Sequence, residues 1–181
     1  LSSITAIILT FNESLHLQRC IDSIRPLTND IVVVDSLSTD DTVKIARQNS
    51  VTVLERAWEN NHSIQFNWAL EQLSRQLCWD DSQWIFRIDA DEVLTPDLIE
   101  QIQATMLNLK SDINGISCRR HLVFQGKLLR FGGMSNNSVL RLFRFGCGHS
   151  ESRWMDEHII VEGKTICLQN EIIDENLQSL T

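Results

Sequence analysis

Long hydrophobic runs are missing from this 181-residue chain. None approaches the roughly 18–20 apolar residues that a membrane-spanning helix needs. No basic segment leads into an apolar one near the N-terminus, so no export signal is visible. Paired cysteines are missing as well. Cys20, Cys78, Cys118, Cys147 and Cys167 are odd in number, scattered and never in a C-x-x-C pair. That argues against a disulfide framework or a zinc site and for a reducing cytoplasm, with the thiols as small buried apolar groups. Neither G-x-G-x-x-G nor G-x-x-x-x-G-K-S/T occurs, which argues against the glycine-rich phosphate cradles of dinucleotide-binding and P-loop proteins. No repeat, linker or low-complexity stretch interrupts the chain, so a single domain over residues 1–181 is expected.

Acidic residues are missing from residues 113–150, although the whole chain carries a net charge of −8. The acid-free stretch holds Arg119, Arg120, Lys127, Arg130, Arg141 and Arg144. The overall sign argues against nucleic acid as a partner. The local asymmetry suggests a second task, either an anionic ligand or a peripheral contact with the inner membrane leaflet. The plainer alternative is an exposed sheet face carrying long basic side chains.

What is present is a strand-helix alternation. Residues 4–10 (Ile-Thr-Ala-Ile-Ile-Leu-Thr) form the nearly continuous apolar run of a strand buried on both faces. Leu17, Cys20, Ile21 and Ile24 then recur at helical spacing. Residues 31–34 predict a second buried strand closed by Asp35, and Thr39 or Asp40 is the candidate cap of the helix carrying Val43, Ile45 and Ala46. Residues 51–54 predict a third strand, 62–77 a helix and 84–88 a fourth strand. Thr95 and Pro96 open another helix. Parallel strands with crossover helices follow from this order. Past residue 109 the pattern changes to strands over 113–124, 127–131 and 139–145, separated by glycine turns. The expected fold is therefore α/β, with a mixed second half.

In such sheets ligands gather beyond the carboxyl ends of the parallel strands. Three polar clusters lie at such ends: residues 10–13, 35–41 and 89–92. The last, Asp89-Ala90-Asp91-Glu92, sets two carboxylates one residue apart. Oxygen donors of that kind suit Mg²⁺ or Mn²⁺, or a ribose, rather than zinc. An acidic turn at the start of a helix would have a similar composition.

Ile-Ile-Leu-Thr-Phe-Asn-Glu at the first strand, Val-Val-Val-Asp-Ser-x-Ser-Thr-Asp-Asp-Thr over residues 32–42, and Asp-Ala-Asp-Glu resemble, in order and spacing, the family 2 glycosyltransferases. Gln65-Phe66-Asn67-Trp68-Ala69-Leu70 and Leu140-Arg141-Leu142-Phe143-Arg144 are weaker matches. The resemblance spans nearly the whole chain. It implies an inverting enzyme of GT-A fold, with a Rossmann-like, mostly parallel sheet. Residues 1–110 would hold the nucleotide-sugar, a UDP-sugar above all, and residues 111–181 a saccharide or lipid-linked acceptor. The usual setting of such relatives is bacterial cell-surface polysaccharide or lipopolysaccharide assembly, in the cytoplasm or at the inner face of the cell membrane.

Carried over position by position, the resemblance puts Thr10, Phe11, Asn12, Glu13 and Gln65 around the nucleotide. Asp35 would recognise the base, Asp89 would face the ribose, and Asp91 would ligate Mg²⁺ or Mn²⁺. The base that deprotonates the acceptor would be Asp156 or Glu157. Many relatives carry Arg where Phe66 stands, so Arg141 or Arg144 becomes the candidate to face the diphosphate. Relatives also continue well past Thr181, which suggests a catalytic-core fragment. Two other readings use the same features: a nucleotide-sugar-binding domain without turnover, and a sugar nucleotidyltransferase. The second lacks the glycine-rich basic loop that it would need after the first strand.

Overall fold

The computed structural model describes residues 3–76, 82–129, 138–151 and 158–178. Three apolar runs form adjacent parallel strands, β1 (Ser3–Thr10), β2 (Ile31–Asp35) and β4 (Gln83–Asp89), with β3 (Thr52–Glu55) on the far side of β2. Their crossovers are α1 (Leu17–Ile24), α2 (Thr42–Gln48) and α3 (His62–Gln76). Alternation along the strands divides the interior into two cores. Ala6, Ile8, Val33, Phe86 and Ile88 pack with Leu17, Cys20, Ile21 and Ile24 of α1. Ile7, Leu9, Val32, Val34 and Ile85 pack with Phe66, Ala69 and Leu73 of α3. Both faces being covered is why these strands read as unbroken hydrophobic runs.

The second half is mixed, as its pattern predicts. The sheet continues β3-β2-β1-β4-β8-β6-β11-β5 among the described residues. Here β5 is Glu92–Leu94, β6 Ile113–Phe124, β8 Ser138–Arg144 and β11 Lys164–Glu175. A short β7 (Lys127–Leu128) pairs with β6, and β9 (Gly148–Ser150) with β10 (Ile159–Val161). The strand expected over 127–131 spans two residues here, and its last two positions lie outside the described residues. The pattern gave no sign of β5, β9, β10 or β11.

β5 begins three residues after β4 ends, yet it pairs antiparallel with β11 at the other end of the sheet order. The sheet curls back on itself, and the Ala90–Asp91 turn bridges the seam. α4 (Pro96–Leu107) starts immediately after β5, with Thr95 accepting the Leu98 N–H at its N-cap, as its sequence predicts. At α2 one of the two expected residues, Asp40, supplies the capping side chain from one position further out. Asp41 occupies the N-cap position, while Asp40 accepts the Thr42 N–H. No helix among the described residues is long and apolar enough to cross a membrane.

Candidate functional site

Two loops at the carboxyl ends of β1 and β2 are stitched together. Asn12 adopts a positive φ of 56°, a left-handed turn that asparagine tolerates better than most residues. Its N–H reaches Ser38 Oγ at 2.8 Å, and its Oδ1 accepts the Thr39 N–H at 2.8 Å. Glu13 N–H donates to Thr42 Oγ1 at 2.8 Å, and Ser14 N–H to Asp40 at 3.0 Å. Burial raises the Asp40 carboxyl, but hydrogen bonds from Thr42 and Ser14 outweigh it and hold it at about 2.

Asp35 is the pin of this assembly. It is fully buried and accepts Thr10 Oγ1 at 2.8 Å, Ser38 Oγ at 2.6 Å and Ser38 N–H at 2.7 Å. A carboxylate so enclosed holds the loops in place and is not among the residues lining the cavity.

At the end of β4, Asp89 and Asp91 behave oppositely. Asp89 Oδ2 accepts Arg141 Nη2 at 3.0 Å, and its Oδ1 lies 3.6 Å from Arg87 Nη2. Against the upward push of burial, these two guanidiniums hold it at about 2. Its side chain keeps 36% exposure, so one face stays open to a ligand. Arg141 also bonds the buried Glu92, which accepts the Asp89 N–H at 3.0 Å. Burial pushes Glu92 up to about 7 despite Arg141, because one guanidinium is shared between two acids. Among the described residues the Asp91 carboxylate makes no such ion pair. Burial raises it and the charge of Asp89 raises it further, while His16 and Arg19 lower it only in part.

β11 brings a further acid, Asp174, which burial and then the charge of Asp91 push up to about 6. The end of that strand is clamped from α1. Arg19 Nη1 pairs with Glu175 at 2.9 Å, and its Nη2 donates to the Asp91 carbonyl at 3.1 Å. His16 Nε2 accepts the Leu177 N–H at 2.8 Å, so the ring proton sits on Nδ1 and faces Glu13 at 2.6 Å. Burial raises Glu13 in spite of that contact.

These groups surround two adjoining cavities. The first, about 520 Å³, is lined by Thr10, Phe11, Glu13, Ser36, Trp58, Gln65, Asp91 and Asp174, among others. Phe11 is 57% exposed at its mouth, and Trp58 packs edge-on against His62 with ring centroids 4.5 Å apart. The second, about 450 Å³, has Arg87, Arg120, Arg141, His158 and Ser138 on its wall. His62 and Asp89 line both.

The structure thus brings Thr10, Phe11, Glu13, Gln65, Asp89 and Asp91 to one cavity. Asn12 stands behind it, holding the neighbouring loop. Arg141 reaches Asp89, but Arg144 is placed elsewhere. Its guanidinium lies 5.0 Å from the Trp84 ring and bonds Asn114 at 3.3 Å, at the opposite end of β4. Asp156 and Glu157 lie outside the described residues. Phe66 is buried in the α3 core with Arg87 5.5 Å above its ring, so the cation near this point comes from β4. Arg87, Trp58, His62 and Asp174 went unread as site residues in the sequence. Arg120 was expected, with Arg119 and Arg130, to face an anionic acceptor or the membrane leaflet, and it lies on the wall of the second cavity. Strand alternation carried a signal for Arg87, which shares a face with Ile85 and Asp89.

For a divalent cation the donor chemistry fits: Glu13, Asp91 and Asp174 supply oxygen to one cavity and are each raised by burial. Among the described residues no three such side chains close into a complete cage.

The family profile described as Glycosyl transferase family 2 matches residues 5–151. An "Uncharacterized glycosyltransferase" of Rickettsia felis is 34% identical over 129 residues, covering 71% of this chain and 40% of that protein. The chain therefore spans about two fifths of that relative's length. Among solved structures, S. aureus TarS 1-349 superposes with a TM-score of 0.59 at 14% identity, over 80% of this chain and 48% of its own. The mannosyltransferase PcManGT from Pyrobaculum calidifontis, in complex with GDP-Man and Mn2+, gives 0.52 at 19% identity, over 78% and 44%. The curled α/β sheet is that of the GT-A glycosyltransferases, and with the profile covering most of its length the chain belongs to glycosyl transferase family 2.

Proposed function

We propose that this chain carries the donor site of an inverting transferase that moves a sugar from a nucleoside diphosphate sugar to a hydroxyl of a saccharide, free or lipid-linked. The observation that carries the reading is the acidic cavity at the carboxyl ends of the parallel strands, with the half-buried Asp91 carboxylate on its wall and in no ion pair among the described residues. PcManGT, with its GDP-Man and Mn2+, supports a nucleotide-sugar and a divalent cation in this fold. The uridine nucleotide, and a setting in cell-surface polysaccharide or lipopolysaccharide assembly, rest on the sequence resemblance.

Phe11 and Trp58 supply aromatic faces at the mouth for the base. Thr10 and Gln65 line the wall beneath, and Asp35 acts through Thr10 and Ser38 by fixing the loops. Asp91, with Asp174 and Glu13 beside it, would hold Mg²⁺ or Mn²⁺, whose charge offsets that of the departing diphosphate. Asp89, kept ionised by Arg141 and Arg87, presents its open face to the sugar or ribose. In the transfer, an acceptor oxygen bonds to the anomeric carbon as the bond to the diphosphate breaks. The hydroxyl proton passes to a carboxylate, for which Asp156 and Glu157 are the candidates. A general base contributes about 10²–10⁴-fold to rate, so replacing the right one by its amide lowers transfer by that order while donor affinity holds.

The test is a thermal-shift series with UDP-, GDP-, CMP- and dTDP-sugars, each with Mn²⁺ and with EDTA. A ligand that binds only the native state raises Tm. One nucleotide class should do so, and Mn²⁺ should enhance it. A flat response to every nucleotide-sugar defeats the donor reading.

A further inference from the structure

Next to the acidic cavity stands a basic one. Arg87 of β4, Arg120 of β6 and Arg141 of β8 converge on its wall with His62 and His158. Among the described residues Asp89 is its one carboxylate, and Arg141 already bonds it. The three arginines differ in how far they are committed. Arg141 has 7% of its side chain exposed and holds Asp89 and Glu92 together. Arg87 lies over Phe66 and leans on Asp89. Arg120 is 31% exposed, and its contact with Asp174, Nη1 to Oδ2, is 3.7 Å, longer than a hydrogen bond.

Arg120 therefore lines the cavity with a planar five-donor fork that its contacts among the described residues leave largely unused. That shape matches a carboxylate or phosphate bidentately, and a compact ammonium does not reproduce it. Recognition of a neutral sugar calls for hydroxyls and amides. Three guanidiniums around one pocket are more than that task requires. The site also adjoins the reacting end of the donor cavity, since His62 and Asp89 belong to both walls.

We propose that the second cavity receives the acceptor through an anionic substituent, a phosphate or carboxylate on the saccharide, docked on Arg120 with Arg87 and Arg141 behind it. This rests on the donor reading, because the second cavity falls to the acceptor only if the nucleotide fills the first.

Glucose 6-phosphate and glucose are suitable probes, titrated by calorimetry into the full chain with and without saturating UDP and Mn²⁺. A charge-assisted contact should favour the phosphorylated sugar by about ten- to hundredfold, with UDP affinity unchanged. Arg120→Gln should abolish the preference, and Arg120→Lys should keep part of it. Circular dichroism and UDP binding by both variants verify the fold. No difference between the two probes, whether both bind or neither does, overturns the inference. So does a preference that survives Arg120→Gln. Displacement of UDP by the phosphosugar would instead assign the arginines to the donor diphosphate. Failure of UDP itself to bind is a separate result, and it removes the donor reading.

Discussion

The two cavities share His62 and Asp89 as a common wall, and their remaining walls are charged in opposite senses. The first gathers Glu13, Asp91 and Asp174; the second gathers Arg87, Arg120 and Arg141. The contrast runs through a single motif. Asp89 and Asp91 are two residues apart, yet one is held near 2 by guanidiniums and the other is raised by burial and by its neighbour. Two carboxylates that look equivalent in sequence therefore divide the work. Asp89 is an anion held by the framework with one open face, and Asp91 is a carboxyl whose charged form burial and Asp89 disfavour, the one that our proposal gives to a cation.

The strongest way to break the contrast is to remove the cation that both sides depend on. Arg141→Met leaves Asp89 and Glu92 buried without their shared partner, and breaking a buried pair in this way costs about 3–5 kcal/mol. The denaturation midpoint should fall accordingly, and an unchanged midpoint would mean that the pair is not structurally important. On the acidic side, Asp91→Asn should lower acceptor-independent release of UDP from the donor by about 10²–10³-fold. The variant should melt no lower than the parent, because the amide removes a disfavoured charge. Full turnover in EDTA would contradict the cation's place there.

Phe11→Ala separates the cavities by ligand rather than by charge. Loss of one stacked base contact is worth about 1–3 kcal/mol, so nucleotide affinity should drop at least about tenfold. Glucose 6-phosphate binding should not change. A smaller effect is expected for Asp174→Asn, and it depends on pH. Folding raises this carboxyl from 3.8 to about 6, so the native state holds the proton more tightly than the unfolded chain. The associated stability is complete below the unfolded value and is lost as pH rises through about 6. Above that, the ionised group is a net cost. Asp174→Asn should therefore raise stability near pH 7.5 by about 1–2 kcal/mol and change it little near pH 4. A constant difference across that range would refute the shift.

Much of the donor side was legible in the sequence because β1, β2 and β4 are buried on both faces and read as continuous apolar runs ending in polar clusters. Asp89 and Asp91 followed from their place at such an end. Asp35 was legible as a site-forming residue, but its three hydrogen bonds were not, because the donors come from Thr10 and Ser38 only after the loops meet. Arg87 was hidden inside a strand whose other members are hydrophobic. Asp174 was hidden more thoroughly, since the register of β11 against β6 shifts between Cys167 and Glu171 and breaks the alternation that would have marked the strand. β5, β9 and β10 are three residues each, too short for any period to register. Arg144 shared an Arg-Leu-Phe-Arg motif with Arg141, and the antiparallel pairing of β8 with β4 carried it to the far end.

The clamp on β11 also bears on the order of folding. Arg19 meets Glu175, and His16 meets Leu177, across almost the full length of the chain. Contacts so distant in sequence form slowly, because a large loop must close before they give any return. The parallel core of β1, β2 and β4 can collapse without them, yet Asp174 does not reach the donor cavity until β11 has docked. Nucleotide binding at the proposed donor site should therefore lag, during refolding, behind the recovery of tryptophan fluorescence, and the lag would time the closing of the seam at Ala90–Asp91.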